Sequence, residues 1–295
     1  MRRKKTIEDI IVDFTVYVVL ILFAITTLIP FLNILAKSFS ESWAVAAGRV
    51  GIIPVGFKIA GYIYVLNSKD FFYAFFNTIF VVSFGTAISI ILTSITSYVL
   101  SKKHIPGVKF IILIYIFTMI FSGGIIPTYL LIRQLGLLNN RWSLILPNMI
   151  SVFNMLLVKN YFESLPESIE EAALMDGASN LRILFWIILP LSLPVLATVS
   201  LFYAVEYWNE YFYASMYISV ASKHTLQLYL RNVITEALRI NLGQTGSYAE
   251  DLYDQIAPES VRAAIIMAST LPILLVYPFL QKHFIKGVII GSVKG

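Results

Sequence analysis

The sequence predicts an all-α integral membrane protein with six transmembrane helices. Of its 295 residues, 58% are hydrophobic and only 13% are charged, whereas a soluble domain carries roughly a quarter of its residues as charges. With a mean hydropathy of +0.79, this composition excludes a water-soluble globular protein. Six uncharged runs of 17 to 31 residues cover 14–36, 71–101, 110–132, 142–158, 183–205 and 263–281. A helix crosses the hydrocarbon core with about 20 residues and a barrel strand with about 10, so runs of this length indicate helices.

Composition also limits the chemistry that the chain can carry. There is no cysteine, which excludes a disulfide framework and thiolate metal ligands. The three histidines, His104, His224 and His283, lie far apart in the sequence, so we expect neither a metal centre nor a bound cofactor. The net charge of +5 is explained better by positive residues at the cytoplasmic membrane face than by binding to nucleic acid.

Positively charged residues predict the orientation of the helices in the cell membrane. MRRKK precedes the first run, and Lys102, Lys103 and Lys109 follow the second. The two sides carry nearly equal totals of Lys and Arg, but charges beside the ends of spans dominate orientation, so this side is expected to be cytoplasmic. The first run is too long for a signal peptide and is expected to remain as a helix. The predicted organisation is a cytoplasmic N-terminus at 1–13, a transmembrane domain at 14–286 with outer loops at 37–70 and 211–262 and a cytoplasmic loop at 161–190, and a cytoplasmic tail at 287–295.

Glycine and proline positions predict where the transmembrane helices bend. Gly123, Gly124 and Pro127 are expected to bend or end the third helix. Pro190 and Pro194 are expected to bend or interrupt the fifth, because proline removes a helical hydrogen bond and clashes with the preceding turn.

The outer loops are expected to differ in character. Residues 37–70 are rich in glycine and typical of turns. Residues 211–222 form an uncharged run too short to cross a bilayer, which indicates an interfacial or re-entrant segment. Apolar residues recur at helical spacing over 225–242, and 243–258 is polar and loop-like.

The cytoplasmic loop predicts a short surface helix over 165–176. Ser164, Pro166 and Glu167 have the form of a helix start with a capping serine, a proline in the first turn and a capping-box glutamate. Gly177 is expected to end the helix in the left-handed conformation. A second helix is expected to start at Ser179 and lead into the fifth span. The predicted common face of the short helix consists of Ile169, Ala172, Ala173 and Asp176. From these residues alone, an amphipathic interfacial loop is an equally good interpretation.

A spacing motif in the same loop carries a resemblance to a known family. Glu171-Ala172-Ala173, Gly177, Ile187 and Leu189-Pro190 match the pattern EAA-x3-G-x9-I-x-LP without a gap. This pattern resembles the signature loop of the transmembrane subunits of ABC importers. Ala178, Pro190, Pro194 and Trp208-Asn209-Glu210 are similar to the carbohydrate-uptake, maltose-type branch, and 281–295 is similar to the end of oligosaccharide permeases from Gram-positive bacteria. The part between the fifth and sixth spans is longer than in the maltose permease.

The resemblance implies a permease that moves carbohydrate, most of all oligosaccharide, by alternating access. The short helix would be a coupling helix that docks on a separate ATPase subunit, and 286–295 would be a second contact with it or a solvated basic tail. The coupling residues would be Glu170, Glu171, Ala172, Ala173, Asp176, Gly177, Ala178 and Pro190. The implied partners are a homologous second permease, two ATPase subunits, an extracellular solute-binding lipoprotein and the carbohydrate. The chain has no phosphate-binding loop, so ATP and magnesium would bind to the ATPase subunits, and this chain would not be an enzyme.

Polar residues in the spans are the candidates for a substrate path. Acidic residues inside a membrane are costly and functional by default, and Glu206 and Glu210 lie one helical turn apart. The alternative for these acids is a position at the outer interface. For the asparagines the alternative is hydrogen bonding between helices, and for the tryptophan it is anchoring at the interface. The candidate path residues are Asn77, Asn148, Asn154, Glu206, Trp208, Asn209 and Glu210.

Two other functions are consistent with a membrane protein of this composition. A secondary transporter would carry its own coupling-ion site. A membrane scaffold would recruit a soluble partner through 161–190. Dependence of transport on ATP distinguishes the ABC importer from both.

Overall fold

A computed structural model describes residues 7–241 and 259–275 of the chain. Helices account for the regular structure of these residues, and the only extended pairing among them is an isolated antiparallel bridge between Ser40 and Phe57. The all-helical prediction is therefore confirmed for the described part of the chain. The described residues divide into two compact units, 7–68 with 232–241 and 259–271, and 69–231 with 272–275.

The first unit begins with a long apolar helix, α1 (Ile7–Ser38), which contains the predicted run 14–36. The loop that follows is more ordered than its glycine content predicts, since it contains α2 (Ser42–Ala46) and α3 (Ala60–Asn67). The side chain of Asn33 on α1 donates hydrogen bonds to the carbonyls of Val50, at 3.0 Å, and Gly51, at 2.7 Å. These bonds fold the loop back on the end of α1.

The second unit contains the second to fifth predicted spans and the acidic loop, whereas residues 263–271 of the sixth predicted run belong to the first unit. Its first long helix is α4 (Lys69–Leu100), which agrees with the run 71–101. The helices that follow are α5 (Val108–Ile120), α6 (Ile125–Gln134), α7 (Trp142–Ile145), α8 (Val152–Glu163), α9 (Glu167–Met175), α10 (Asn180–Ile183), α11 (Leu189–Leu191), α12 (Leu193–Asn209), α13 (Phe212–Tyr217) and α14 (Leu226–Asn241). A 3-10 turn, Leu146–Asn148, extends α7, and a π-helical turn, Leu184–Ile188, joins α10 to α11.

Three of the predicted spans are bent rather than straight. The pair α5–α6 is bent by 107°, Trp142–Asn148 and α8 by 50°, and Asn180–Leu191 and α12 by 86°. The first bend occurs at Gly124, whose φ of +90° suits glycine, and the third lies between Pro190 and Pro194, so both predicted bends are confirmed. The second bend was not predicted. Its signal is Pro147, which lies in the 3-10 turn just before the break.

The number of candidate membrane spans depends on whether each bent pair is counted as one span. Within the described residues, α1 and α4 are each long and apolar enough to span a membrane, and counting each bent pair as one span gives up to five. A further helix, α15, covers 259–275, and the remainder of the predicted run 263–281 lies outside the described residues. The count of six stays a prediction.

The segments after α12 agree in outline with their sequence patterns. Residues 211–222 form α13 and a 3-10 turn, Ala221–Lys223, which are too short to span a bilayer. The helix predicted over 225–242 is α14. The predicted loop 243–258 and the tail 287–295 lie outside the described residues.

The core of the second unit is built by α4 and α12. At Gly85 on α4 the two helices come so close that a Cβ atom would lie 2.7 Å from the ring of Tyr207, which explains the glycine. Hydroxyl pairs continue the contact, Ser89 with Tyr207 at 3.0 Å and Thr93 with Tyr203 at 2.7 Å. Ser97 then donates to the carbonyl of Met155 on α8 at 2.8 Å. The C-terminal end of α4 is thereby fixed beside α8, the helix that leads into the acidic loop.

Candidate functional site

The short helix α9 presents one face to the protein and one to its surroundings. Ala173 is buried and Ile169 is half-buried. Glu171, Ala172, Met175 and Asp176 are exposed, with 88% of Met175 accessible. Of the predicted common face, Ile169 and Ala173 therefore lie on the inner side of α9, whereas Ala172 and Asp176 lie on its exposed side.

The start of α9 differs from the predicted capping box. Its N-cap position is Pro166, without a side-chain hydrogen bond. The Ser164 hydroxyl instead donates to the carbonyl of Tyr161 at 2.7 Å, closing the end of α8. The prediction was wrong because the preceding helix competes for the same hydroxyl. The second helix, α10, starts after Ser179 as predicted, and the Ser179 hydroxyl caps it by accepting from the Arg182 backbone N–H.

The end of α9 explains the spacing of the motif. The backbone N–H of Ala178 donates to the carbonyl of Ala173, and that of Gly177 to the carbonyl of Leu174, each at 3.0 Å. These two bonds define a Schellman motif, in which the residue after the helix adopts the left-handed conformation. Gly177 has φ of +77°, and no atom lies within 4 Å of where its Cβ would be. Backbone conformation, not space, therefore requires glycine here, and the predicted stop is confirmed.

Glu170 on the inner side of α9 is held by Tyr98, in the last turn of α4, and by Lys102, two residues beyond the end of that helix. Its carboxylate forms an ion pair with Lys102 and accepts a hydrogen bond from the Tyr98 hydroxyl at 2.6 Å. The Lys102 ammonium also lies 4.2 Å from the centre of the Tyr98 ring. We call Glu170, Lys102 and Tyr98 the Glu170 bridge. Sequence reasoning placed Glu170 in the site but missed both partners, which lie about 70 residues away in the sequence.

A cavity of about 580 Å³ adjoins the Glu170 bridge. Its walls come from the end of α4, the turn between α8 and α9, α9 itself and the start of the fifth predicted span. Basic and acidic side chains meet around an apolar floor. The charged or ionisable lining residues are Lys102, Lys103, His104, Glu163, Glu167, Glu170 and Glu171.

Pro190 lies in a different element from the other predicted coupling residues. It follows the π-helical turn and belongs to α11, directly before the 86° bend. The Tyr161 hydroxyl donates to the carbonyl of Leu191 at 3.3 Å, which ties this bend to the end of α8. Pro190 therefore shapes the connection from α9 to α12 and is not part of the α9 surface.

Two of the candidate path residues, Asn77 and Glu210, form side-chain hydrogen bonds with other elements of the protein. Asn77 is buried and donates to the carbonyls of Ser222, at 2.9 Å, and His224, at 3.0 Å. The Glu210 carboxylate accepts from the backbone N–H of Tyr213 at 2.7 Å, so it caps α13. The Asn77 contacts are those of the alternative interpretation for the asparagines, in which polar groups join elements together.

The other candidates divide by burial. Asn154 and Trp208 are buried, and Asn148 is half-buried with its carbonyl accepting from the Tyr207 hydroxyl at 3.3 Å. Glu206 and Asn209 are exposed, although the Asn209 amide also donates to Val205 in its own helix at 3.0 Å. Glu206 and Asn209 are thus the two candidates whose side chains face outward.

Comparison with known proteins places these features in a family. Residues 52–290, which include the whole of α9 and its motif, match the family model described as the inner membrane component of binding-protein-dependent transport systems. The chain belongs to this family. The resemblance drawn from the motif is therefore confirmed, and family membership favours an importer component over a secondary transporter or a scaffold.

Relatives of this transport component cover nearly its whole length. Protein LplC of Bacillus subtilis is 43% identical, over 91% of this chain and 90% of the relative. The polygalacturonan/rhamnogalacturonan transport system permease protein YtcP of the same organism is 40% identical, over 96% and 98%. Among solved structures, a chain of a bacterial ABC transporter involved in the import of the acidic polysaccharide alginate is 38% identical, with a TM-score of 0.88 over 96% of this chain and 99% of that one.

Sequence reasoning also missed two tyrosines in this inner membrane component. Tyr203 and Tyr207 lie one turn apart on α12 and face Ser89 and Thr93, one turn apart on α4. Residues four apart share a helix face. The matching spacing of Ser89 and Thr93 on one apolar helix and of Tyr203 and Tyr207 on another was therefore a sequence signal for this contact.

Proposed function

We propose that this chain is one of two permease subunits of an ABC importer that moves oligosaccharide across the cell membrane. It would cross the membrane six times, with α9 and both termini in the cytoplasm, and act with a homologous permease, two ATPase subunits and an extracellular solute-binding lipoprotein. The observation that carries the proposal is α9 itself, a short helix with one exposed face and a Schellman glycine at the motif position, in a chain of the binding-protein-dependent transport family.

The exposed face of α9 is suited to docking on another protein. Met175 offers a large apolar side chain, Ala172 permits close approach, and Glu171 and Asp176 add charges at the edges. A large apolar side chain exposed to water, such as that of Met175, is a candidate anchor for a pocket on a partner protein. We propose that this face docks on an ATPase subunit, and that Ala173, Gly177 and Ala178 hold it in position while Glu170 links it to the rest of the chain.

The transport step would then follow from movement of α9. Binding of ATP and Mg²⁺ to the two ATPase subunits would bring those subunits together and displace the docked helices. Rigid-body rotation of the permease cores about their interface would open the path alternately to each side. This chain supplies the docking face, the path and the connection between them.

The relatives point to the class of oligosaccharide. Two proteins at about 40% identity are named for polysaccharides, polygalacturonan/rhamnogalacturonan and alginate, and both polymers contain sugars with carboxylate groups. We propose an oligosaccharide containing uronic acid as the substrate, with oligogalacturonide as the first one to test. Glu206 and Asn209, the path candidates with exposed side chains, are proposed to bond with sugar hydroxyls.

Transport assays test this function directly. The chain would be reconstituted in vesicles with its second permease, ATPase and lipoprotein, and uptake of labelled oligogalacturonide measured with and without ATP. We expect uptake that requires ATP and the lipoprotein. Uptake driven by an ion gradient without ATP would contradict the proposal, and a neutral oligosaccharide transported in preference would contradict the substrate class alone.

A further inference from the structure

The Glu170 bridge joins α9 to α4 through charged and polar groups in a confined place. Side chains of Lys102 and Glu170 are only 16% and 21% exposed. The Glu170 carboxylate binds a different group with each oxygen, Tyr98 with one and Lys102 with the other. Charge-assisted bonds of this kind are short, directional and about twice as strong as neutral ones.

The cavity beside the bridge makes this connection important for movement. Because about 580 Å³ of space lies between the walls formed by α4, α9 and the start of the fifth predicted span, α9 is not packed tightly against them at this place. Apolar contact is non-directional and permits sliding. A directional ion pair, in contrast, forces the two segments that it joins to move together unless it breaks. Breaking it leaves an unpaired charge in a confined site.

The bridge also lies at one end of a continuous series of contacts. Tyr98 is in the last turn of α4, and its ring packs edge-on against the Phe162 ring of α8, with 6.5 Å between the ring centroids. Ser97 bonds to α8, and Thr93 and Ser89 bond to Tyr203 and Tyr207 on α12. A displacement that enters α4 at Lys102 and Tyr98 therefore reaches the polar contacts of the core.

We propose that the Glu170 bridge transmits the displacement of α9 to α4, which makes Lys102 and Tyr98 positioning residues for transport. This inference rests on the proposed function, since it assumes that an ATPase subunit moves α9. It assigns Glu170 an inward role that differs from docking, because Glu170 faces α4 while Glu171 lies on the exposed side.

Charge reversal in the reconstituted importer tests the bridge. Lys102→Glu and Glu170→Lys would each place two like charges together, and the double variant would restore an ion pair with reversed polarity. We expect each single variant to retain the ATPase subunit and to hydrolyse ATP. Transport per ATP hydrolysed should fall about tenfold, within the usual range for coupling between two sites, and the double variant should recover most of it.

The controls separate transmission from stability and from the proposed function. Lys103→Glu makes the same charge reversal as Lys102→Glu on the same cavity wall, but outside the bridge. It should keep the wild-type amount of transport per ATP hydrolysed. If the reversals prevent folding, Tyr98→Phe, which removes the 2.6 Å hydrogen bond alone, should still lower the ratio. The inference would be overturned if the single variants or Tyr98→Phe kept the wild-type amount of transport per ATP hydrolysed. It would also be overturned if the double variant transported as little per ATP as the single variants. A wild-type chain that binds no ATPase would instead refute the proposed function.

Discussion

Tyr203 and Tyr207 show how single hydroxyl groups stabilise a broken helix in an apolar environment. The break between Trp142–Asn148 and α8 removes backbone groups from the helical pattern, and an unsatisfied backbone group in lipid costs several kcal/mol. Tyr203 accepts from the backbone N–H of Ser151 at 2.9 Å. Tyr207 donates to the carbonyl of Asn148 at 3.3 Å. Each hydroxyl also bonds to α4, so each one joins three segments.

Removing the hydroxyl of Tyr203 should therefore destabilise the protein. Tyr203→Phe leaves the Ser151 N–H and the Thr93 hydroxyl without their partner, at a cost of about 1–3 kcal/mol for a buried group. Tyr207→Phe should cost less, because its bond to Asn148 is longer. Thermal unfolding in detergent measures both, with Tyr73→Phe, which alters an exposed tyrosine on α4, as the control. A midpoint for Tyr203→Phe equal to that of the control would contradict the assigned role.

At the scale of the element, α9 combines three functions in nine residues. Its exposed face is available for docking, its inner face holds the Glu170 bridge, and its C-terminal motif sets where the chain turns towards α10. The motif spacing follows from this geometry, since the Schellman motif joins Ala173 to Ala178 and places Gly177 at the left-handed position. The acidic residues in its first turn, Glu167 and Glu170, also face the positive end of the helix dipole.

Substitution of Gly177 tests the importance of that turn. Gly177→Val should weaken ATPase binding and transport while membrane insertion is retained, because a β-branched residue is strained at a φ of +77°. Gly177→Asn should retain more of both, since asparagine visits this conformation more readily. The matched control is Gly51→Val, where a Cβ also meets open space but φ is not in the left-handed range. Equal co-purification of the ATPase with Gly177→Val and wild type would contradict the role of the turn.

Bends in the transmembrane elements were predictable only where glycine or proline dominates the local sequence. Gly124 and the pair Pro190 and Pro194 indicated two of the three bends. The break after Asn148 depends on Tyr203 and Tyr207 from α12 as well as on Pro147, and such a tertiary contact is not visible in a window of local sequence. The Ser164 cap failed for a similar reason, because two adjacent helices compete for one hydroxyl.

For the whole molecule, composition and charge-free runs were sufficient to predict the helical membrane class, and the spacing motif was sufficient to predict the family. What could not be predicted is which distant residues meet. The Glu170 bridge joins residues of α9 to the end of α4, and Asn77 bonds to the segment before α14. These pairings depend on how the helices pack, which hydrophobic runs of similar composition do not specify.

The central claim is that the exposed face of α9 docks on an ATPase subunit. Because the chain has no cysteine, single cysteines give a clean test by cross-linking in the assembled transporter. Met175→Cys replaces the most exposed residue of α9, and Ile53→Cys, which replaces a residue 77% exposed between α2 and α3, is the control. We expect Met175→Cys to cross-link to the ATPase subunit and Ile53→Cys to form no such cross-link. An ATPase that co-purifies with the chain but forms no cross-link at Met175 would contradict it.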